Sequence, residues 1–523
     1  MQLSDFPPEI LDEIIGWSMP LSFESLALSC KAIHTRAASK IPLHNRLKKK
    51  WKCAEHRWSR YSDNLRFLHE IAKEPLITRY IETLILHDRR DSYQLKVLEE
   101  DDANDDFRKG EAYLERIRDF FFASSAKRYI EEAGVDMDDW WNHVKQDTNT
   151  KLDRFNSYPD PTPYIDVSIL LLLPNVKTVR LARKSWAEIP EAEAKASSIH
   201  RATPDLWPVL DTVVKTANGP AFSGRALGRL ERVLPFMGQG YVERGALEAI
   251  QSFMQIPSVT EVYMVSCLAI CNGDGYTGQS FTWRLPEYTC NVRRLELAYC
   301  GIDRGGICTV LSLMPHLENA GLFLDAVAKH CGANITELAI GCGGVEGNGG
   351  IENGIGSFHE FSKLKKLEVD AVVFHGPPID SGQMQGYCAH RLEGAKTWTE
   401  EDLPCLATML PPSLEELHVN IDYEGSRKID FLSLSPLDRH DMICELRYQN
   451  AATALLKGFN SERQRRCPHL TKVVFRQYGI DIARREVEQE GCELDDYEIG
   501  SRERMPLWIR EFQQVAYRIA RIQ

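Results

Sequence analysis

Two periodicities divide the chain. Near the N-terminus the apolar residues recur at helical spacing, and from Ile169 onward they recur at the alternating spacing of strands. Ile10, Leu11, Ile14 and Ile15 fall on one helical face, opposite Glu9, Asp12, Glu13 and Gly16. Pro7 and Pro8 suit a first helical turn, where the missing N–H would lack a partner anyway. Asp5 is placed to cap that helix, and Glu9 puts an anion near the positive end of its dipole. Pro20 breaks it. Ser22 or Ser25 then opens a second helix carrying Phe23, Leu26, Leu28 and Cys30, and Lys31 onward continues helically. A unit of about forty residues in short helices buries little core by itself, which points to a partner surface.

Further along, residues 54–73 read as helix, and 81–86 (Ile81, Leu84, Leu86) as a compact strand. The run of acids from Glu99 to Asp106 reads as a solvated loop. Helical spacing returns over 107–133, through Tyr113, Leu114, Ile117, Phe120 and Phe121. The prolines at 159, 161 and 163 mark 148–164 as a linker.

The later cadence is apolar-x-x-apolar-x-apolar. It begins at Val176, Val259, Val292, Ile335, Leu364, Leu414 and Leu470, with a weaker copy at Leu317 that has Ala320 at an anchor. Several copies follow a proline stop, as at Pro257, Pro315, Pro411 and Pro468. One copy would mean little. So many, each after a helix-like stretch, imply repeated strand–helix units that bury their faces on their neighbours.

Leu3, Phe6, Pro7, Glu9, Ile10, Leu11 and Ile14, followed by the Leu26-x-Leu28-x-Cys30-Lys31 run, resemble an F-box. The later cadence resembles leucine-rich repeats; Cys267 and Cys300 stand where that family turns the chain off its strand. Together they resemble the large F-box proteins of filamentous fungi. The resemblance implies an α/β fold class: a small all-α F-box over 1–45, then an irregular leucine-rich-repeat solenoid over 166–480 with long helical insertions. Between them lies a helical linker region, 46–165, and a helical segment, 481–523, follows. It further implies a substrate-recognition subunit of an SCF-type ligase. Phe6, Pro7, Pro8, Ile10, Leu11, Ile14, Leu26 and Leu28 would bind the SCF adaptor subunit and, through it, a cullin–RING ligase. The repeats would bind a protein substrate. The alternative is a leucine-rich-repeat interaction scaffold with no link to ubiquitination.

Composition narrows the classes. The 523-residue chain is 43% hydrophobic and 26% charged, enough to build a large core. Its net charge of −12 argues against nucleic-acid binding through bulk charge. No apolar run reaches the roughly eighteen residues of a membrane span, and early acids interrupt any signal peptide. The 14 irregularly spaced cysteines fit reduced core thiols, so the expected compartment is cytoplasmic or nuclear. The basic run 46–52 reads as a solvated helix end before it reads as a nuclear address.

Candidate chemistry is thin. Gly273, Gly275 and Gly278 spell a dinucleotide fingerprint, but no helix start follows to hold a pyrophosphate. The glycines between 341 and 350 lack the lysine of a P-loop, and Cys267 and Cys271 have no second zinc-ligand pair. The expectation is no cofactor, no metal and no catalysis.

Alternation predicts which residues face away from the core of the repeats. They include Glu261 and Tyr263; Arg294 and Glu296; Lys366, Glu368 and Asp370; Glu416, His418 and Asn420; Lys472, Val474 and Arg476. Acids lead until the last strand turns basic. Tyr263, Glu296, Glu368, Asp370, Glu416 and His418 are thus expected to line an exposed strip that receives a basic segment of a substrate.

Overall fold

The computed structural model describes residues 6–56, 63–86, 111–148, 163–181, 206–220, 225–235, 245–265, 281–298, 304–317, 331–340, 357–375, 404–422, 454–478 and 490–497, with a few shorter pieces between them. It mixes helices with mainly parallel strands. The chain divides into two compact units, one built on Met1–Gln279 and Trp283–Asn291, the other on Val292–Tyr517. The expected repeat region therefore contributes strands to both units, rather than forming a block apart from the N-terminal segments.

Four helices open the first unit: α1 (Pro8–Trp17), α2 (Phe23–Ala27), α3 (Lys31–Ala37) and α4 (Ile41–Trp51). Pro8 stands in the first turn of α1, and Asp5 lies outside the described residues. Leu11, Ile15, Met19, Phe23, Ala27, Ile33, Ala37, Leu47 and Trp51 are buried and form the apolar interior of these helices. A polar clamp ties α1 to α3. Arg36 grips the Asp12 carboxylate through Nε at 3.1 Å and Nη2 at 3.0 Å, and Nη2 also donates to the Pro8 carbonyl. Lys40 Nζ donates to the Asp12 carbonyl at 2.8 Å. The basic end of α4 is folded and partnered: Lys48 meets Glu24 at 2.6 Å and Arg46 meets Glu74 at 3.1 Å.

The helix expected over 54–73 is only partly there. Cys53–His56 is a strand, β1, and the helix α5 runs from Asp63 to Lys73. β1 pairs in parallel with β2 (Thr83–Leu86), with Ala54 opposite Leu84. A four-residue tract has too little periodicity to declare itself, and a neighbour some thirty residues away decides its state. The helical stretch expected over 107–133 is two helices, α7 (Glu111–Ala123) and α8 (Ala126–Glu132), after a short α6 (Ile77–Tyr80). α9 (Met137–Thr148) follows, its first turn capped by Asp136, whose Oδ1 accepts from the amides of Asp138 and Asp139. α10 (Tyr164–Leu171) is buried on every side, as a helix apolar all round must be.

The remaining strands are β3 (Thr178–Arg180), β4 (Arg232–Leu234), β5 (Gly245–Ala246), β6 (Glu261–Val265), β7 (Cys267–Ala269), β8 (Arg294–Ala298), β9 (Gly301–Ile302), β10 (Asn319–Ala320), β11 (Glu337–Ile340), β12 (Lys366–Asp370), β13 (Met384–Gln385), β14 (His390–Arg391), β15 (Glu416–Asp422), β16 (Lys472–Tyr478) and β17 (Glu493–Tyr497). In the first unit the parallel order is β1-β2-β3-β4-β6; in the second it is β8-β10-β11-β12-β15-β16-β17. Strands thus lie side by side in chain order, joined by the crossovers that parallel pairing demands.

The cadence sets the register. Its second anchors stand opposite one another: Leu295, Ala320, Leu338, Leu367, Leu417 and Val473 form one row, and Leu84, Val179, Val233 and Val262 form another. The first anchors at 176, 230, 259, 292, 317, 335, 364, 414 and 470 are buried too. The residue after several of these anchors uses one carbonyl twice. The Thr336 carbonyl accepts from the amides of Lys365 and Lys366, that of Lys365 from Glu415 and Glu416, and that of Glu415 from Thr471 and Lys472. The same device recurs at Lys52, Glu82, Lys177 and Glu231 in the first unit.

Besides β1, two strands of the main parallel order escape the sequence pattern. β4 follows Leu230 and Val233, but Pro235 stands at the third anchor and hides the copy. β17 lies in the segment expected to be helical. Its backbone pairs in parallel with β16, Leu494 opposite Phe475, because the free edge of that sheet supplies partners that the acid-rich local sequence does not reveal.

Candidate functional site

Two regions come into question, one in each unit. The first is the outer face of the N-terminal helices. Among the described residues, the large apolar side chains left exposed are Ile10 at 41%, Trp17 at 71%, Leu21 at 55% and Leu28 at 78%. All come from one stretch of the chain. Ile10, the half-buried Ile14 and Trp17 share a face of α1 at i, i+4 and i+7, while Leu21 precedes α2 and Leu28 ends it. Pro7 and Pro8 are exposed beside them, and Phe6 and Leu26 are half-buried. Leu11 is the exception: it is buried against the other helices, so it belongs to the core and not to the face. The i+1 offset from Ile10 turns it about 100° around the helix. Trp17 and Leu21, which the motif did not single out, are more exposed than Ile10.

Behind that face, His44 fixes α2. Its ring lies 4.6 Å from Phe23, its Nδ1 is 2.8 Å from the Tyr80 hydroxyl, and its Nε2 is 3.3 Å from Glu24. A carboxylate only accepts, so Nε2 carries a proton toward Glu24, and the Tyr80 hydroxyl, with its own proton, is the partner of Nδ1. Burial, helped by the charges of Glu74 and Glu24, pushes the Tyr80 phenol up to about 12, so it keeps that proton.

The second region is the sheet face of the second unit, and it is not the exposed acidic strip expected. Glu296, Glu368, Asp370 and His418 are buried, and so is Tyr263 in the first unit; Glu416 is half-buried. Alternation does put 366, 368 and 370, 416, 418 and 420, and 472, 474 and 476 on one face. There they answer each other. Arg476 Nη1 donates to Glu368 at 2.7 Å, reaching past the intervening strand β15, and Nη2 donates to His418 Nδ1 at 2.6 Å. Asn420 Nδ2 donates to Glu368 at 3.2 Å and to Asp370 at 3.3 Å. Glu416 accepts from His418 Nε2 and from Lys472 Nζ, the latter at 2.7 Å. Arg294 donates to Glu296, and the Tyr263 hydroxyl to Glu261 at 2.8 Å. Carboxylates leave water at this face because a guanidinium, an amide and an imidazole on adjacent strands meet them.

Position fixes charge in this cluster. Arginine only donates, so His418 Nδ1 must accept and Nε2 must carry the proton toward Glu416. Burial pushes His418 below the usual histidine range, as does the Arg476 guanidinium, and Glu416 only partly offsets them. Burial pushes the Glu416 carboxyl up, but the hydrogen bonds from Lys472 and His418 and the nearby cations outweigh it and hold the group at about 2. The ladder therefore contains a neutral imidazole between a carboxylate and a guanidinium. Its polar atoms face one another, which suits holding strands together more than catching a ligand.

Cys267 is buried at the start of β7, two residues past the end of β6, with its thiol 3.7 Å from the Val265 carbonyl. Cys300, which the repeat resemblance places where the chain turns off its strand, is half-buried and not fully enclosed, its thiol 3.4 Å from the Ala298 carbonyl of the preceding strand. The glycine runs at 273–278 and 341–350 and the acidic loop at 99–106 lie outside the described residues. Among the described residues, no group of three His, Cys, Asp or Glu side chains is placed to hold a metal ion, and no helix is long and apolar enough to cross a membrane. No protein-family model matches the sequence, and no curated protein matches it.

Proposed function

We propose that the chain is an F-box protein with degenerate leucine-rich repeats, the substrate-recognition subunit of an SCF-type ubiquitin ligase. The observation that supports this reading is the concentration of exposed apolar side chains at Ile10 and Leu28, which belong to the F-box resemblance, and at Trp17 and Leu21 between them. Scattered surface leucines need no explanation, but a run of them on one small helical unit marks a contact surface. Docking there would bring whatever the repeats hold to the cullin-bound machinery, and this chain would make and break no bonds itself. The parallel strands in chain order, with anchors in register, support the repeat half of the reading. Cytoplasm or nucleus is the compartment such an assembly implies. The buried sheet face is not offered as the substrate surface.

Co-expression with an SCF adaptor and cullin tests the reading. The wild-type chain is expected to co-purify with both, and an Ile10→Asp, Leu28→Asp double variant to lose both while keeping its thermal unfolding midpoint. Those positions are exposed, so the substitutions spare the core. A folded wild-type chain that captures neither subunit would overturn the assignment and leave an interaction scaffold.

A further inference from the structure

The Glu416–His418–Arg476–Glu368 ladder joins three adjacent strands of the second unit through one imidazole that can change its charge. β15 lies between β12 and β16, and residues 416, 418 and 420 are in register with 366, 368 and 370 on one side and with 472, 474 and 476 on the other. The groups facing His418 are Glu416 on its own strand, Arg476 on β16 and Glu368 on β12, with Lys472, Lys366, Asp370 and Asn420 one step further out. These are the charged and titratable groups on that face among the described residues of the three strands. Arg476 is the hub: one guanidinium nitrogen serves Glu368 and Asn420, the other serves His418.

We infer that His418 is an acid-sensitive latch, which holds β15 to β16 while its Nδ1 accepts from Arg476 and releases them when Nδ1 takes a proton. A proton from solvent added to Nδ1 leaves the Nε2–H bond to Glu416 in place. It converts the other side of the ring from acceptor to donor. Two donors, both cationic, then face each other at 2.6 Å in a site shielded from water. Arg476 must withdraw, and because the same guanidinium holds Glu368, the buried pair between β12 and β16 is strained with it. The carboxylates of Glu416 and Glu368 favour the imidazolium, but neither can replace the acceptor that Arg476 loses. Acidification thus acts on one face of three strands, independently of how the N-terminal helices dock.

Hydrogen exchange of the full-length chain, corrected for intrinsic rates, tests the latch. Between pH 7.5 and 5.5, peptides covering 416–422 and 472–478 are expected to lose protection by up to about tenfold, the limit for a histidine of pKa about 6.5 in the opened state. His418→Asn keeps an acceptor near the Nδ1 position and removes the titration, so its protection over those peptides should not change beyond that of control helices. Protection that is equally insensitive to pH in the wild-type protein overturns the inference. A second measurement does not depend on a variant that folds. In protein labelled with 15N-histidine, the assigned His418 imidazole should be neutral at pH 7.5 with its proton on Nε2, and its charging should track the loss of protection. A charging step that leaves the strand peptides equally protected also overturns it.

Discussion

Arg476 and Glu368 show what a single pair decides. Each side chain is 3% exposed, and the two meet at 2.7 Å across an intervening strand. Removing one partner of such a buried pair strands the other charge away from water, which costs about 3–5 kcal/mol. Arg476→Met should therefore lower the unfolding free energy by about that much in urea. The Glu368→Leu, Arg476→Met double variant should recover part of the loss, since the Glu368 charge is no longer stranded, while His418 Nδ1 still lacks its donor. Glu416 acts on the pH axis. Its folded-state value of about 2 lies below the ordinary 4.5. Folding thus binds fewer protons than unfolding in that window, and the stabilisation from Glu416 is complete above pH 4.5 and lost as pH falls toward 2. Glu416→Gln should flatten the acid limb of stability over that window in denaturant titrations at stepped pH, leaving only the slope owed to other groups.

On the scale of elements, α1 has a buried and an exposed apolar position one residue apart, and the proposed docking uses the exposed one. Leu11 faces the interior and Ile10 faces out. Leu11→Ala should cost about 2–5 kcal/mol through lost burial and the cavity left behind, whereas Ile10→Ala should stay within about 0.5 kcal/mol. Adaptor capture should respond in the opposite sense, Ile10→Ala weakening it without a shift in unfolding midpoint. Thermal melts paired with capture assays read both. The strands show the same division. Leu367, Leu417 and Val473 form a buried row that fixes register, and the residues between them decide what the other face can hold.

Across the whole molecule, two compact units each carry their own strands and interior. Damage in the first is expected to stay local. In Leu11→Ala, exchange should rise over residues 6–51, while peptides over 366–370 and 416–422 keep wild-type protection; a uniform rise across the chain would contradict that division.

The sequence by itself determined the elements whose periodicity is long or repeated. The helix through Ile10, Leu11, Ile14 and Ile15, its proline stop, and every copy of the strand cadence came out where the spacing put them, even the weak copy at Ala320, because side-chain alternation and anchor spacing are local properties of the chain. Ile10 and Leu28 are singled out through the F-box resemblance, and periodicity alone does not separate them from the buried Leu11 and Ile15. Tertiary structure decided the rest. β1 and β17 are strands because a parallel neighbour distant in sequence satisfies their backbone groups, and their local residues do not favour that state. Leu11 is absent from the exposed apolar face because other helices cover it. Above all, alternation put Glu368, His418 and Arg476 on one face but could not say whether they met water or each other. That depends on which strands lie side by side and in what register, and once Arg476 reaches Glu368 past β15, an acidic strip becomes a buried, mutually satisfied ladder.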